Sequence, residues 1–128
     1  MDLEANKAVV RRIYEEGFNR GDVSVFDTLY ATNFRHHSKT IHDVSSGAAG
    51  ERESMLRFRE AIPDVRFQIE DTIAEGDHVV VRLTVTGTPV KAFPPIQPGE
   101  PVEFCAVAVF RLDGGRVTEE WFYRDAAG

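Results

Sequence analysis

Cysteine is almost missing from this chain. Cys105 is the only one, so no intrachain disulfide can form and a reducing, cytoplasmic home is expected. No apolar run approaches the ~18 residues that a membrane-crossing helix needs. Positive charge is also short: 15 Lys and Arg face 21 Asp and Glu, a formal net charge of −6. That balance repels phosphate backbones and anionic lipid, so neither nucleic acid nor a membrane is an expected partner. The first residues, Met1-Asp2-Leu3-Glu4, are acidic and amphipathic, unlike a secretory signal. No phosphate-cradling glycine loop, dinucleotide fingerprint or nucleophile motif occurs, which argues against phosphoryl and hydride transfer and against a bound coenzyme.

What remains is an ordinary globular balance, 42% hydrophobic and 28% charged. At 128 residues the chain has room for one core, so a single domain spanning 1–128 is expected. Val9, Val10, Ile13, Tyr14, Gly17 and Phe18 recur at helical spacing, which predicts a helix from about Leu3 to Asn19, ended by Gly21. Asp22 can cap a short second helix with Val25, Phe26, Leu29 and Tyr30 facing inward. The polar stretch from His36 to Gly50 reads as a loop. Glu51 to Ile62 is helical again, through Met55, Phe58 and Ile62, until Pro63 stops it.

After Pro63 the period changes. Val65, Phe67, Ile69, Asp71 and Ile73 alternate with polar neighbours, as in a half-buried strand. Glu75-Gly76-Asp77 is a turn, and a second strand runs from His78 to Thr86. Five of the six prolines fall between Pro89 and Pro101, too many for a central strand, so this segment is a long hairpin loop. Strands follow at Val102–Leu112 and Val117–Asp125, joined at Gly114-Gly115. Helices first and a four-strand antiparallel meander after them predict an α+β fold.

On the third strand, Phe104, Ala106, Ala108 and Phe110 share one face, where two alanines leave space for a ligand or for a close helix. On the last strand Glu119, Trp121, Tyr123 and Asp125 share one face, and Glu120, Phe122 and Arg124 share the other. A one-residue slip of the hairpin exchanges them. A two-residue loop sets Trp121 beside Ala108, and a bulged three-residue loop sets Glu120 there.

The ordered motifs resemble those of the SnoaL-like polyketide cyclases, a branch of the NTF2-like folds. They are Ile13-Tyr14-Glu15-Glu16 with Asn19-Arg20-Gly21-Asp22, then Phe34-Arg35-His36-His37-Ser38, then Ala61-Ile62-Pro63-Asp64. Ile69-Glu70-Asp71, Glu75-Gly76-Asp77-His78-Val79-Val80-Val81-Arg82, Phe110-Arg111-Leu112-Asp113-Gly114 and Glu120-Trp121 to Asp125 complete the set. The resemblance implies a cone of helices packed on a curved antiparallel sheet enclosing a pocket. It also implies a homodimer, a hydrophobic small-molecule substrate, and ring closure or related acid–base chemistry without metal or coenzyme. It departs from the family at two positions: a histidine on the third strand and an aspartate after the last-strand tryptophan align with Ala108 and Phe122.

The expected acid and base are therefore Glu120, raised in pKa if it points into the cone, and His37 at the pocket mouth. Tyr14, Phe18, Phe104, Ala106, Ala108, Trp121 and Phe122 are the expected substrate contacts. His36, His37 and His42 match no standard metal-ligand spacing, and no metal is expected. Arg82 is expected to pair with Glu70 or Glu103. The function expected is a cofactor-independent cyclase or isomerase. A hydratase, dehydratase or epoxide-opening enzyme and a ligand-binding module without catalysis are the alternatives.

Overall fold

The computed structural model describes residues 2–37, 47–92 and 97–125. Helix α1 spans Leu3–Arg12, begun by Asp2, whose side chain accepts from the Ala5 amide, and runs directly into a π-helical segment, Ile13–Phe18. The wide turn contains Gly17, where a Cβ would stand 2.9 Å from the Val25 side chain. The missing side chain thus lets the next helix, α2 (Ser24–Thr28), pack close. Asp22 accepts from the Ser24 amide and hydroxyl at 3.0 and 2.6 Å, but the cap position of this helix is Val23, which makes no side-chain cap bond.

Strand β1 (Tyr30–His36) follows immediately, where the sequence pattern gives only a helix end and a loop. Leu29 and Tyr30 continue the helical spacing of Val25 and Phe26, but tertiary pairing takes precedence over that local signal. The Leu29 carbonyl accepts from Val117 N at 2.8 Å, and the Glu120 carbonyl accepts from His37 N at 2.9 Å, so the last strand fixes both ends of β1. Helix α3 covers Ala48–Ala61, and β2 (Arg66–Glu75), β3 (His78–Gly87), β4 (Val102–Asp113) and β5 (Arg116–Arg124) follow. The sheet is five-stranded, in the order β1-β5-β4-β3-β2, with β1 parallel to β5 and every other pair antiparallel. It is curved and open, with the helices packed on it. The α+β cone is present, with one strand more than the predicted meander.

The inner face of the sheet is apolar through Val79, Val81, Leu83 and Val85 on β3 and Phe104, Ala106, Ala108, Phe110 and Leu112 on β4, all buried. A continuous file of rings joins it to the helices. Tyr14 packs edge-on to Phe110, Phe18 lies 4.9 Å from Phe67, and Phe26, Tyr30 and Phe34 follow in contact. Each such side chain contributes about 1.5–3 kcal/mol by leaving water. The space beside the alanines is occupied: Phe122 stands opposite Ala108 and Arg124 opposite Ala106. Arg82 pairs with Asp71 at 2.7 Å, correcting the expectation of Glu70 or Glu103. A register shift between Ile69 and Asp71 sets Asp71 opposite Arg82, while Glu70 accepts from the Thr84 hydroxyl.

One side chain joins the helical layer to the sheet. Asn19 donates to the Phe67 carbonyl at 2.9 Å and accepts from the Phe67 amide at 2.7 Å, completing β2 as a strand neighbour would. Arg59 closes the same corner by donating to the Phe18 and Asn19 carbonyls. Asn19→Ala leaves both part-buried backbone groups unsatisfied and is expected to cost about 2 kcal/mol. Urea unfolding measures this, and a loss below ~0.5 kcal/mol shows that the corner does not depend on Asn19.

Candidate active site

Three separate elements deliver ionisable side chains to one place on the inner face. His36 closes β1, Glu120 lies midway along β5, and Glu51 stands in the first turn of α3. The parallel pairing sets His36 directly beside Glu120. An irregularity between Tyr30 and Arg35 in that pairing accompanies inward-facing Tyr30 and Phe34, both buried. Glu51 occupies the same helical stripe as Met55 and is buried with it. His36 Nε2 lies 3.6 Å from Glu120 Oε2 and 3.8 Å from Glu51 Oε2, and all three side chains are more than nine-tenths buried.

Two carboxyls this close cannot both ionise cheaply out of water. Burial first, and then the charge and hydrogen bonding of Glu120, hold the Glu51 carboxyl well above the ordinary carboxylate range. Glu51 thus keeps its proton to higher pH than an ordinary carboxyl does. Two phenols feel the same field: burial, then Glu120, then Glu51 push Tyr14 and Tyr30 well above their ordinary values. The Tyr30 hydroxyl is close enough to interact with Glu120. Even so, neither Tyr30 Oη nor Glu120 Oε1 has a partner in good hydrogen-bond geometry. Two carboxyls and an imidazole in an aromatic shell can together accept a proton from one atom and give one to another. The ligating atoms of His36, Glu51 and Glu120 lie within 4.8 Å of one another. Among the described residues, these could hold a divalent cation, in competition with the proton on Glu51.

The structure separates the expected pair. Glu120 faces the interior, whereas His37 lies on the outer side of the sheet, 2.9 Å from Glu119 and stacked on Trp121 with ring centroids 4.8 Å apart. Adjacent strand residues point to opposite faces, so His36 rather than His37 meets Glu120. Trp121 is likewise outside, opposite Val109; the hairpin turns on the expected two-residue Gly114-Gly115 loop, with Asp113 opposite Arg116, but Phe122 rather than Trp121 is beside Ala108, with Glu120 beside Phe110. A register shift between Arg111 and Leu112 produces this arrangement. Tyr14, Phe18, Phe104, Ala106, Ala108 and Phe122 all belong to the core or pack on it. His42 lies outside the described residues. Glu51, His36 and Tyr30 were not expected at the site. The signal for Glu51 was an acid on an apolar helical stripe, four residues before Met55.

The sequence matches the family model of the SnoaL-like polyketide cyclases over residues 8–128, and the chain belongs to that family. Solved structures agree. AclR of Streptomyces galilaeus, a candidate hydroxylase, is 27% identical with a TM-score of 0.82, over 98% of this chain and 92% of its own. A candidate SnoaL-like polyketide cyclase of Jannaschia sp. CCS1 is 26% identical at a TM-score of 0.84, covering 96% and 87%. IdmH of Streptomyces antibioticus, a candidate polyketide cyclase, is 25% identical at 0.81, covering 94% and 91%. No curated protein matches the sequence significantly. Among the described residues, no helix is long and apolar enough to cross a membrane.

The raised pKa of Glu51 carries a sign for stability. Above the unfolded value, about 4.3, the folded chain still holds a proton that the unfolded chain has released. Unfolding then releases that proton, so stability falls as pH rises toward the folded value. Glu51→Gln keeps the hydrogen-bonding shape without an ionisable proton. The variant is expected to match the wild type near pH 4 and to be more stable at pH 8, on the order of 1 kcal/mol. Urea unfolding at the two pH values checks it, and a gap that stays constant between them contradicts a protonated Glu51.

Proposed function

We propose that this protein is a cofactor-independent cyclase or isomerase of a hydrophobic, polyketide-type small molecule, working by acid–base catalysis. The observation that carries the reading is the buried cluster of Glu51, Glu120 and His36, whose ionisable atoms lie within 4.8 Å of one another on the inner face. Glu120 accepts a proton from a carbon activated by a neighbouring carbonyl. The resulting enolate attacks a second carbonyl within the same molecule or is reprotonated elsewhere, and Glu51 gives its proton to the oxygen that becomes negative. His36, near both carboxyls, returns the proton from Glu120 to Glu51 and resets the site. A positioned acid or base of this kind is worth about 10²–10⁴-fold in rate.

The family's aligned histidine and aspartate positions, Ala108 and Phe122, are directly opposed here. In this reading their work moves two residues along β5, to Glu120, and across to β1 and α3. For the homodimer that the resemblance implies, the outer sheet face offers Val107 and Tyr123, 37% and 56% exposed. Light scattering after size exclusion decides that point.

The test is mass spectrometry of a metabolite extract incubated with wild type, Glu120→Gln, Glu51→Gln and His37→Ala proteins. A compound converted to a product of equal mass by wild type and His37→Ala supports the reading if the two Glu variants slow it about 10²–10⁴-fold. A product differing by one water assigns the chemistry to hydration or dehydration instead. A compound that co-purifies unchanged with every variant makes the protein a binding module without catalysis.

A further inference from the structure

The buried cluster on the inner face has the donor set of a metal site. It offers one imidazole nitrogen and two carboxyl oxygens, each from a different element, with the ligating atoms all within 4.8 Å of one another. His36 Nε2 stands 3.6 Å from Glu120 Oε2 and 3.8 Å from Glu51 Oε2, separations beyond hydrogen-bond length. Ligands about 2.1 Å from a common ion lie about 3.0–3.4 Å apart, so modest side-chain rotations close the set on one ion.

A second observation points to the same place. Tyr30 is 2% exposed, and its hydroxyl lies close to Glu120. Neither Tyr30 Oη nor the other Glu120 oxygen, Oε1, has a hydrogen-bond partner in good geometry. Polar atoms held this way inside a core call for a bonding partner, and an ion between them meets that need. Charge argues in the same direction. Among the described residues, the only basic group within ion-pair distance of Glu51 or Glu120 is His36. A proton neutralises one of two carboxylates, whereas a divalent cation neutralises both. A nitrogen ligand beside two carboxylates suits zinc, cobalt or manganese better than magnesium or calcium, which favour oxygen throughout.

We propose that His36, Glu51 and Glu120 bind one divalent transition-metal ion of the zinc class, with Tyr30 beside it, and that the bound ion switches the site off. Its ligands are the same groups that accept and give protons in the absence of metal. The switching rests on the acid–base reading above, while the binding does not.

The probe is zinc chloride, titrated calorimetrically into chelator-treated wild type, Glu51→Gln, Glu120→Gln and His36→Gln proteins whose thermal melts confirm folding. A His37→Ala/His78→Ala double variant removes the imidazoles of the outer pairs His37–Glu119 and His78–Asp77, so that zinc held at the surface is told apart. Wild type and the double variant are expected to bind one ion per chain. Each inner variant binds at least about tenfold more weakly, since even groups that only orient a ligand are worth about 10–100-fold. Nitrogen NMR of the histidine rings needs no inner variant, and the His36 signal moves on zinc addition. No binding by wild type, binding that the inner variants leave unchanged, or a stationary His36 signal overturns the proposal. Bound zinc is also expected to stop conversion of the extract compound. Full conversion with the His36 signal shifted overturns the switch and the acid–base reading together. No zinc binding, with both Glu variants still slowing conversion, overturns the metal site and leaves that reading intact.

Discussion

The confinement of two carboxyl groups in an apolar shell governs the rest of this molecule. Glu51 and Glu120 are each about 4% exposed, and no lysine or arginine among the described residues forms an ion pair with either. Burial and mutual repulsion favour the protonated form of Glu51. The elements that surround the pair are arranged around that condition. The start of α3, the end of β1 and the middle of β5 each supply one group, and the rings of Tyr14, Tyr30 and Phe34 keep water out. Such a site costs stability that an apolar core would not, and sites where local packing rules are broken in this way are where function is found.

Much of the fold was legible in the chain because its strands alternate cleanly and its helices carry apolar stripes. Three features were not. The β1 strand begins within a run that still reads as helix, and Ala31, Asn33 and Arg35 have little strand preference of their own; only pairing with β5 makes it extended. The facing of β5 depends on a bulge at Arg111 and Leu112, which no local signal marks, and with it goes the choice between Glu120 and Trp121. Glu51 was visible only as an acid in a core position, a pattern that a helix boundary explains equally well. Glu120 was thus named from sequence as an ionisable group that could face the interior, while its neighbours Glu51 and His36 were not, because they arrive from chain segments 69 and 84 residues away.

Membership in the SnoaL-like family fixes the scaffold and leaves the chemistry to the side chains placed on it. Ala108 and Phe122, where the sequence resemblance places the family's histidine and aspartate, are apolar, yet the interior still holds ionisable groups. Relocation within one cone is physically straightforward, since moving two residues along a strand keeps a side chain on the same face.

The outer face of the same sheet has a different character. Trp121 is the only tryptophan in the chain, and it lies between two imidazoles, His37 at 4.8 Å and His78 at 6.4 Å. Around it, Glu119, Arg111 and Asp77 form a chain of ion pairs. The protein's single indole chromophore therefore sits on the far side of the sheet from the buried acids. Its emission is an optical signal of the outer surface, sensitive to whatever covers or charges that surface and nearly blind to what enters the cone.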